Sequence, residues 1–282
     1  MESYVLITGA TGGLGKAFAV ECAYRGWNLF LTDLSEEHLC CFATSLMNTY
    51  AVRVIYSPCD LTDAAERQKL LSHIRSCNIS FSALINVAGL DYEGLFSDRS
   101  PEQIRTLIRL NIEANLEITA EILKLRNRIK PFRIINVASL AAYYSMPLKA
   151  MYAASKRFLL SFSMALREEL RPYGVTVTTL CPAGLPTTPE CIKAIERQGF
   201  AGIITTKNVG YVAAKTIDHA LKGHAVYIPG KLNQLLRFFS SFIPSVVITR
   251  FIGSRWQRAG ENKLQKPEHL IWNLWRKTEG VT

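Results

Sequence analysis

Tyr152 and Lys156 stand four residues apart in SLAAYYSMPLKAMYAASK, residues 139–156. If the segment after Pro147 is helical, both side chains lie on one face, one turn apart. A free phenol titrates at about 10, and a neighbouring ammonium favours the phenolate, so the pair suits proton transfer closer to neutral pH. Ser139, thirteen residues before Tyr152, would end a strand and offer a hydroxyl to the same substrate oxygen. The Tyr-x-x-x-Lys spacing alone is weak evidence, because Tyr211/Lys215 and Tyr227/Lys231 repeat it. Tyr211 has Gln198 where a serine is wanted, and Pro229-Gly230 breaks the helix that would align Tyr227 with Lys231.

Holding such a pair requires a rigid frame. Apolar strand-like runs alternate with helical-period stretches through the first 230 residues, which predicts an α/β fold: a Rossmann-like, doubly wound parallel sheet of about seven strands flanked by helices. Strands are expected at 4–8, 29–32, 52–56, 83–87, 132–137, 175–180 and within 223–228. Helices are expected at 13–26, 36–50, 63–77, 104–128 and 151–171. Residues 1–230 would form the dinucleotide-binding and catalytic domain, and 231–282 an apolar, basic helical extension.

Between the first strand and its helix lies Thr8-Gly9-Ala10-Thr11-Gly12-Gly13-Leu14-Gly15. Glycines here let the backbone turn sharply and approach a pyrophosphate, whose charge meets amides and the positive end of the helix. Asp33, at the end of strand two, is placed to bind ribose hydroxyls and to repel a 2′-phosphate; no Arg or Lys follows in LSEEHL. NAD(H) is therefore the preferred cofactor, with NADP(H) still admitted. The bland alternative, Asp33 as a loop or capping carboxylate, competes with Ser35, the better N-cap. Asp60 would meet the adenine edge, or Asp60 or Thr62 would cap the next helix. Asn86-Val87-Ala88-Gly89 sets small residues where backbone would pass beneath a cofactor, and Asn111 interrupts a helical stretch. An Asn there normally faces solvent; a buried one would kink the helix and hold a water at the site.

Taken together, these residues resemble the short-chain dehydrogenase/reductase family over about residues 3–190. The likeness rests on Thr8-Gly9-x-x-x-Gly13-x-Gly15, Asn86-x-Ala88-Gly89, Asn111, Ser139, Tyr152-x-x-x-Lys156 and the Pro182 loop. The resemblance implies Tyr152 as proton donor or acceptor, Ser139 polarising the substrate carbonyl, Lys156 on the nicotinamide ribose, and Asn111 anchoring the water of a proton relay. It further implies cofactor contacts from Gly9, Thr11, Gly13, Leu14, Gly15, Asp33, Asp60, Leu61, Asn86, Ala88, Gly89, Pro182, Gly184, Leu185 and Thr187, and no metal. The glycine stretch also satisfies the Gly9-x-x-Gly12-x-x-Gly15 spacing of longer epimerase relatives, but Asn86-x-Ala88-Gly89, Asn111 and the length favour the shorter branch. Similarity to hydroxysteroid dehydrogenases and 3-oxoacyl or ketosphingoid reductases implies a bulky hydrophobic ketone or alcohol substrate. Pairing of helices 104–128 and 151–171 across a two-fold axis would give a homodimer or homotetramer. A catalytically silent dinucleotide-binding regulator or scaffold is the competing reading, and a lipid-surface binding module a third.

Composition bounds the rest. Seven Cys lack a Cys-x-x-Cys pair, which suits reduced thiols in a cytoplasmic setting, and MESYVLITGA has no signal-peptide pattern. The net charge of +10 is uneven: residues 230–282 hold nine Lys/Arg against three Glu. No nucleic-acid motif accompanies them, whereas the apolar run 232–251 beside those cations fits a substrate wall, a subunit contact or a peripheral membrane contact.

Overall fold

Successive residues of the first strand point to opposite faces, and both faces are buried. Val5 and Ile7 enter one apolar cluster, Tyr4 and Leu6 the other. A strand apolar on both faces belongs in a parallel sheet with helices on each side. The computed structural model describes residues 2–187, 191 and 206–261. Its strands are β1 (Ser3–Thr8), β2 (Asn28–Asp33), β3 (Val54–Pro58), β4 (Ser80–Asn86), β5 (Phe132–Val137), β6 (Val175–Leu180) and β7 (Val226–Tyr227). They form one 7-stranded sheet in the order β3-β2-β1-β4-β5-β6-β7, with every pairing parallel. The order reverses between β1 and β4, so the crevice for a ligand lies at their C-terminal ends.

The helices are α1 (Gly13–Tyr24), α2 (Glu36–Thr49), α3 (Ala64–Ser76), α4 (Pro101–Ile108), α5 (Ala114–Lys124), α6 (Ala150–Leu170), α7 (Val209–Leu221), α8 (Lys231–Ser240) and α9 (Ser245–Glu261). Phe18 and Cys22 of α1, Leu39 and Leu46 of α2, and Val212 and Ile217 of α7 cover one face of the sheet. Leu70 and Ile74 of α3 and Ile118 and Ile122 of α5 cover the other. Each such buried side chain contributes about 1.5–3 kcal/mol relative to exposure.

Two local expectations are corrected. Neither Asp60 nor Thr62 caps α3: the Asp63 carboxylate accepts from Ala65 N at 2.7 Å and Glu66 N at 3.0 Å, while Asp60 Oδ1 accepts from Thr62 N and Oγ1. Nor is 104–128 one helix, because a π-helical turn, Arg109–Glu113, separates α4 from α5. The helix expected within the 184–205 loop lies largely outside the described residues.

The π turn is braced from below by Arg67, whose side chain is fully buried. Its Nε donates to Glu117 Oε2 at 2.7 Å, Nη1 to Leu61 O at 2.9 Å, and Nη2 to Glu113. Glu113 and Glu117 stay 41% and 35% exposed, so removing the arginine leaves hydrated carboxylates rather than buried ones. Arg67→Ala is therefore expected to lose roughly 2–3 kcal/mol in urea unfolding, less than for a fully buried pair. A loss within experimental error would show that the brace is unnecessary.

Candidate active site

The glycine stretch after β1 is shaped by close approach. Gly9 has φ +63, and a Cβ on it would stand 2.9 Å from Ala88 Cα. A Cβ on Gly15 would meet Gly9 O at 1.9 Å. One on Gly13 would meet Thr187 O at 2.8 Å, so the loop after β6 lies over the first turn of α1. Thr8 Oγ1 accepts from Val87 N at 3.1 Å and Ala88 N at 3.2 Å, tying the end of β1 to that of β4. Asp33 Oδ2 accepts from Thr11 N at 2.8 Å and Thr11 Oγ1 at 2.7 Å, and Oδ1 from Leu34 N at 2.8 Å. A carboxylate has about four acceptor sites, so one remains for a ribose hydroxyl. Ser35, not Asp33, caps α2, accepting from His38 N. Glycine backbone at a helix N-terminus, with a carboxylate at the end of β2, fits the pyrophosphate and ribose of a dinucleotide.

Other expected cofactor contacts sit nearby with their side chains turned to other uses. Asn86 is 3% exposed, and its Nδ2 donates to Asn136 Oδ1 and Thr119 Oγ1. With Nδ2 so engaged, its main chain is what the expected passage of backbone beneath a cofactor would use. Leu14 and Leu61 are buried. Pro182 O accepts from Leu140 N at 2.8 Å, and Leu185 O from Thr187 N at 2.9 Å; Gly184 is exposed in the same loop.

Ser139, Tyr152 and Lys156 come together. The Ser139 hydroxyl lies close enough to the Tyr152 phenol to favour its ionised form. Lys156 Nζ lies 5.6 Å from the centre of the Tyr152 ring and donates to Val137 O at 2.9 Å. Gly89 approaches so closely that a Cβ would stand 3.1 Å from Lys156 Nζ and 3.2 Å from Asn111 Oδ1. Asn111 is 2% exposed, and its side chain makes three hydrogen bonds: Oδ1 accepts from Leu90 N, and Nδ2 donates to Leu90 O and to Ser155 Oγ. It braces the loop after β4 against α6.

Burial sets the electrostatics. It pushes the Tyr152 phenol up to about 12, with the Ser139 hydrogen bond opposing and the charge of Asp91 adding to the rise. The expected drop toward neutrality beneath Lys156 is not seen. Burial instead lowers the Lys156 ammonium to about 8, against the charge of Asp91. At pH 7 the phenol is protonated and the ammonium charged, a state ready to give a proton to a developing oxyanion.

Asp91 and Lys149 escaped the sequence reading. Asp91 Oδ2 accepts from Lys149 Nζ at 2.5 Å, and Glu93 lies 3.5 Å from the same ammonium. Lys149 Nζ is 5.9 Å from the Tyr152 ring centre, so two ammonium groups lie within 6 Å of it. Leu148, at φ +65, turns the chain to place Lys149, and its carbonyl accepts from Gly94 N at 2.8 Å. A cation at the start of a helix opposes the macrodipole, and that was the available signal. A separate cleft of about 480 Å³ lies at the β7 edge between Tyr143, Tyr227, Ile228 and Arg237, without Tyr152 in its wall.

The short chain dehydrogenase family model matches residues 3–196. The chain belongs to that family. Among similar proteins, 17-beta-hydroxysteroid dehydrogenase type 3 of Homo sapiens is 32% identical over 191 residues, 66% of this chain and 60% of that one. The very-long-chain 3-oxoacyl-CoA reductase of Laccaria bicolor is 30% identical over 182 residues, 63% of this chain and 53% of its own length. The chain thus spans little more than half the length of these two relatives. A solved short-chain dehydrogenase from Sphingobium yanoikuyae in complex with NADPH is 26% identical, with TM-score 0.71 over 86% of this chain and 96% of that one.

Lys156 must be charged and Tyr152 protonated to assist an oxyanion, so turnover in that direction should fall above about pH 8 as Lys156 loses its proton. Asp91 raises both groups, so Asp91→Asn should move this alkaline limb to lower pH. Adding Lys149→Met, which removes a cation 5.9 Å from the Tyr152 ring centre, should move it back. A limb that ignores both changes would rule out control by the pair.

Proposed function

We propose that this chain is a nicotinamide-dinucleotide-dependent oxidoreductase that interconverts a ketone and a secondary alcohol on a bulky apolar substrate. The observation that carries the reading is the convergence of Ser139, the Tyr152 phenol and the buried Lys156 ammonium. A bound nicotinamide supplies or accepts hydride at the carbinol carbon. The chain's own groups manage the oxygen: Ser139 and Tyr152 donate hydrogen bonds to it, and Tyr152 gives up its proton as negative charge grows there. Lys156 keeps a positive charge near the phenol and would hold the ribose of a bound nicotinamide dinucleotide. A relay water near Asn111 would be held by main chain, which the π turn takes out of α-helical register. Protonated Tyr152 at neutral pH favours the reductive direction.

Gly9, Thr11, Gly13 and Gly15 would hold the pyrophosphate, and Asp33 the adenosine ribose, with NAD(H) favoured over NADP(H) by the carboxylate's charge. The names of the relatives, a steroid dehydrogenase and a very-long-chain reductase, support an apolar substrate. Exposed Ile108 on α4 and Phe158 and Met164 on α6 support a dimer through these helices. Free thiols at all seven Cys suit a reducing, cytoplasmic compartment. Residues 1–230 act as the catalytic unit and 231–282 as its extension.

Tyr152→Phe should cut turnover by about 10²–10⁴ while leaving dinucleotide binding unchanged. Retained turnover would defeat the assignment, and binding without turnover of any ketone in the unaltered chain would point to the silent scaffold. Asp33→Asn keeps an acceptor for Thr11 and removes the charge. It should raise use of NADP(H) relative to NAD(H) roughly tenfold, about 1.4 kcal/mol, in steady-state kinetics; an unchanged ratio would remove the NAD(H) argument.

A further inference from the structure

Helix α8 is built inside out. Its inward side is polar: Asn233 is 1% exposed and donates to Pro229 O at 2.8 Å, and Gln234 Nε2 donates to Ile228 O at 2.8 Å. Arg237 lies 4.2 Å from the centre of the Tyr143 ring, and Ser240 Oγ is 3.0 Å from Tyr144 Oη. The outward side carries Leu235, Leu236, Phe238 and Phe239, each at least half exposed, and the turn that follows carries Phe242 at 72%. The first part of α9 continues the surface with Val246, Val247 and Phe251, all 55% exposed or more. A helix of a water-facing domain normally turns its apolar stripe to the core. Here polar groups attach the helix to the domain and the apolar groups face away.

We propose that α8 and α9 dock this chain on an anionic lipid bilayer, lying in its interface. No helix among the described residues is long and apolar enough to cross a membrane, which leaves the interfacial mode. Charge decides between occupants. Lys231 and Arg250 are exposed on these helices, and residues 231–260 contain no acidic residue. A two-fold contact between copies would set this patch against itself, cation facing cation, whereas phosphatidylserine headgroups complement it.

The dock is joined to the catalytic segment at both ends. Arg237 and Ser240 hold the turn that follows Ser139, and α9 packs against Pro147, five residues before Tyr152: a Cβ on Gly253 would stand 3.2 Å from Pro147 Cγ. Resting on the ketone–alcohol reading above, the attachment places the catalytic segment beside the lipid phase, from which an apolar substrate enters.

The test is co-sedimentation of the full chain with phosphatidylcholine vesicles with and without phosphatidylserine. Binding is expected only with phosphatidylserine and should weaken at high salt. Phe239→Ser/Phe242→Ser should reduce it at least about tenfold, and Lys231→Gln/Arg250→Gln should flatten the salt dependence. The Phe variant should also lose turnover of a ketone presented in vesicles while keeping that of a water-soluble ketone. No vesicle binding by the unaltered chain, or binding indifferent to the Phe changes, overturns the proposal. So does a dimer that dissociates in the Phe variant without any lipid effect, since that assigns the face to a second copy. Lipid binding needs no turnover, so an inactive enzyme that still binds vesicles would reject the catalytic reading and leave the dock standing.

Discussion

Lys156 carries an ammonium that burial drives toward neutrality, and much of the surrounding structure holds it in place. Its proton is shared with Val137 O at the end of β5, Gly89 closes on it from the loop after β4, and Tyr152 lies one helical turn before it. Three separate elements converge on one atom. The parallel sheet makes this possible, because strands β4 and β5 end side by side and each delivers its following loop to the same crevice. A charge in that position is stabilised by fixed dipoles rather than by water. Its proton is correspondingly easy to remove, and Asp91 opposes that loss across the Tyr152 ring.

The helix opposite is distorted for the same purpose. Asn111 reaches both Leu90 and Ser155 from the π turn at Arg109–Glu113. Widening a helix removes regular hydrogen bonds, and the buried Arg67 offsets this by gripping Glu113 and Glu117 on either side of the junction. An ion pair far from the phenol thus takes part in holding the loop that packs on Lys156. Such π turns recur where function requires a side chain at a register that an α-helix does not supply.

The extension obeys a different constraint. Within the sheet and its helices, apolar residues face inward on both sides, as parallel architecture demands. After β7 the rule is reversed, with Asn233 buried and Phe238, Phe239 and Phe242 outside. The reversal is local and is held by specific polar contacts to Tyr143 and Tyr144. It is a built feature rather than a loosely packed end.

Much of the frame was legible in the chain itself. Strand runs such as 132–137 and 175–180 match the observed β5 and β6, because both are rich in the β-branched Val, Ile and Thr that strands favour. The glycine stretch, the Tyr152/Lys156 spacing and Ser139 were readable too, since each depends on local geometry: a sharp turn, a helical period, a strand end. Residue spacing could not reveal that Lys149 and Asp91 lie near the phenol, that Asn111 ties the loop after β4 to α6, or that burial outweighs Lys156 in setting the Tyr152 proton. Nor could it show which side of α8 faces the protein. These follow from distances between residues far apart in the chain and from how much water each group loses, and both quantities exist only once the sheet has brought the segments together.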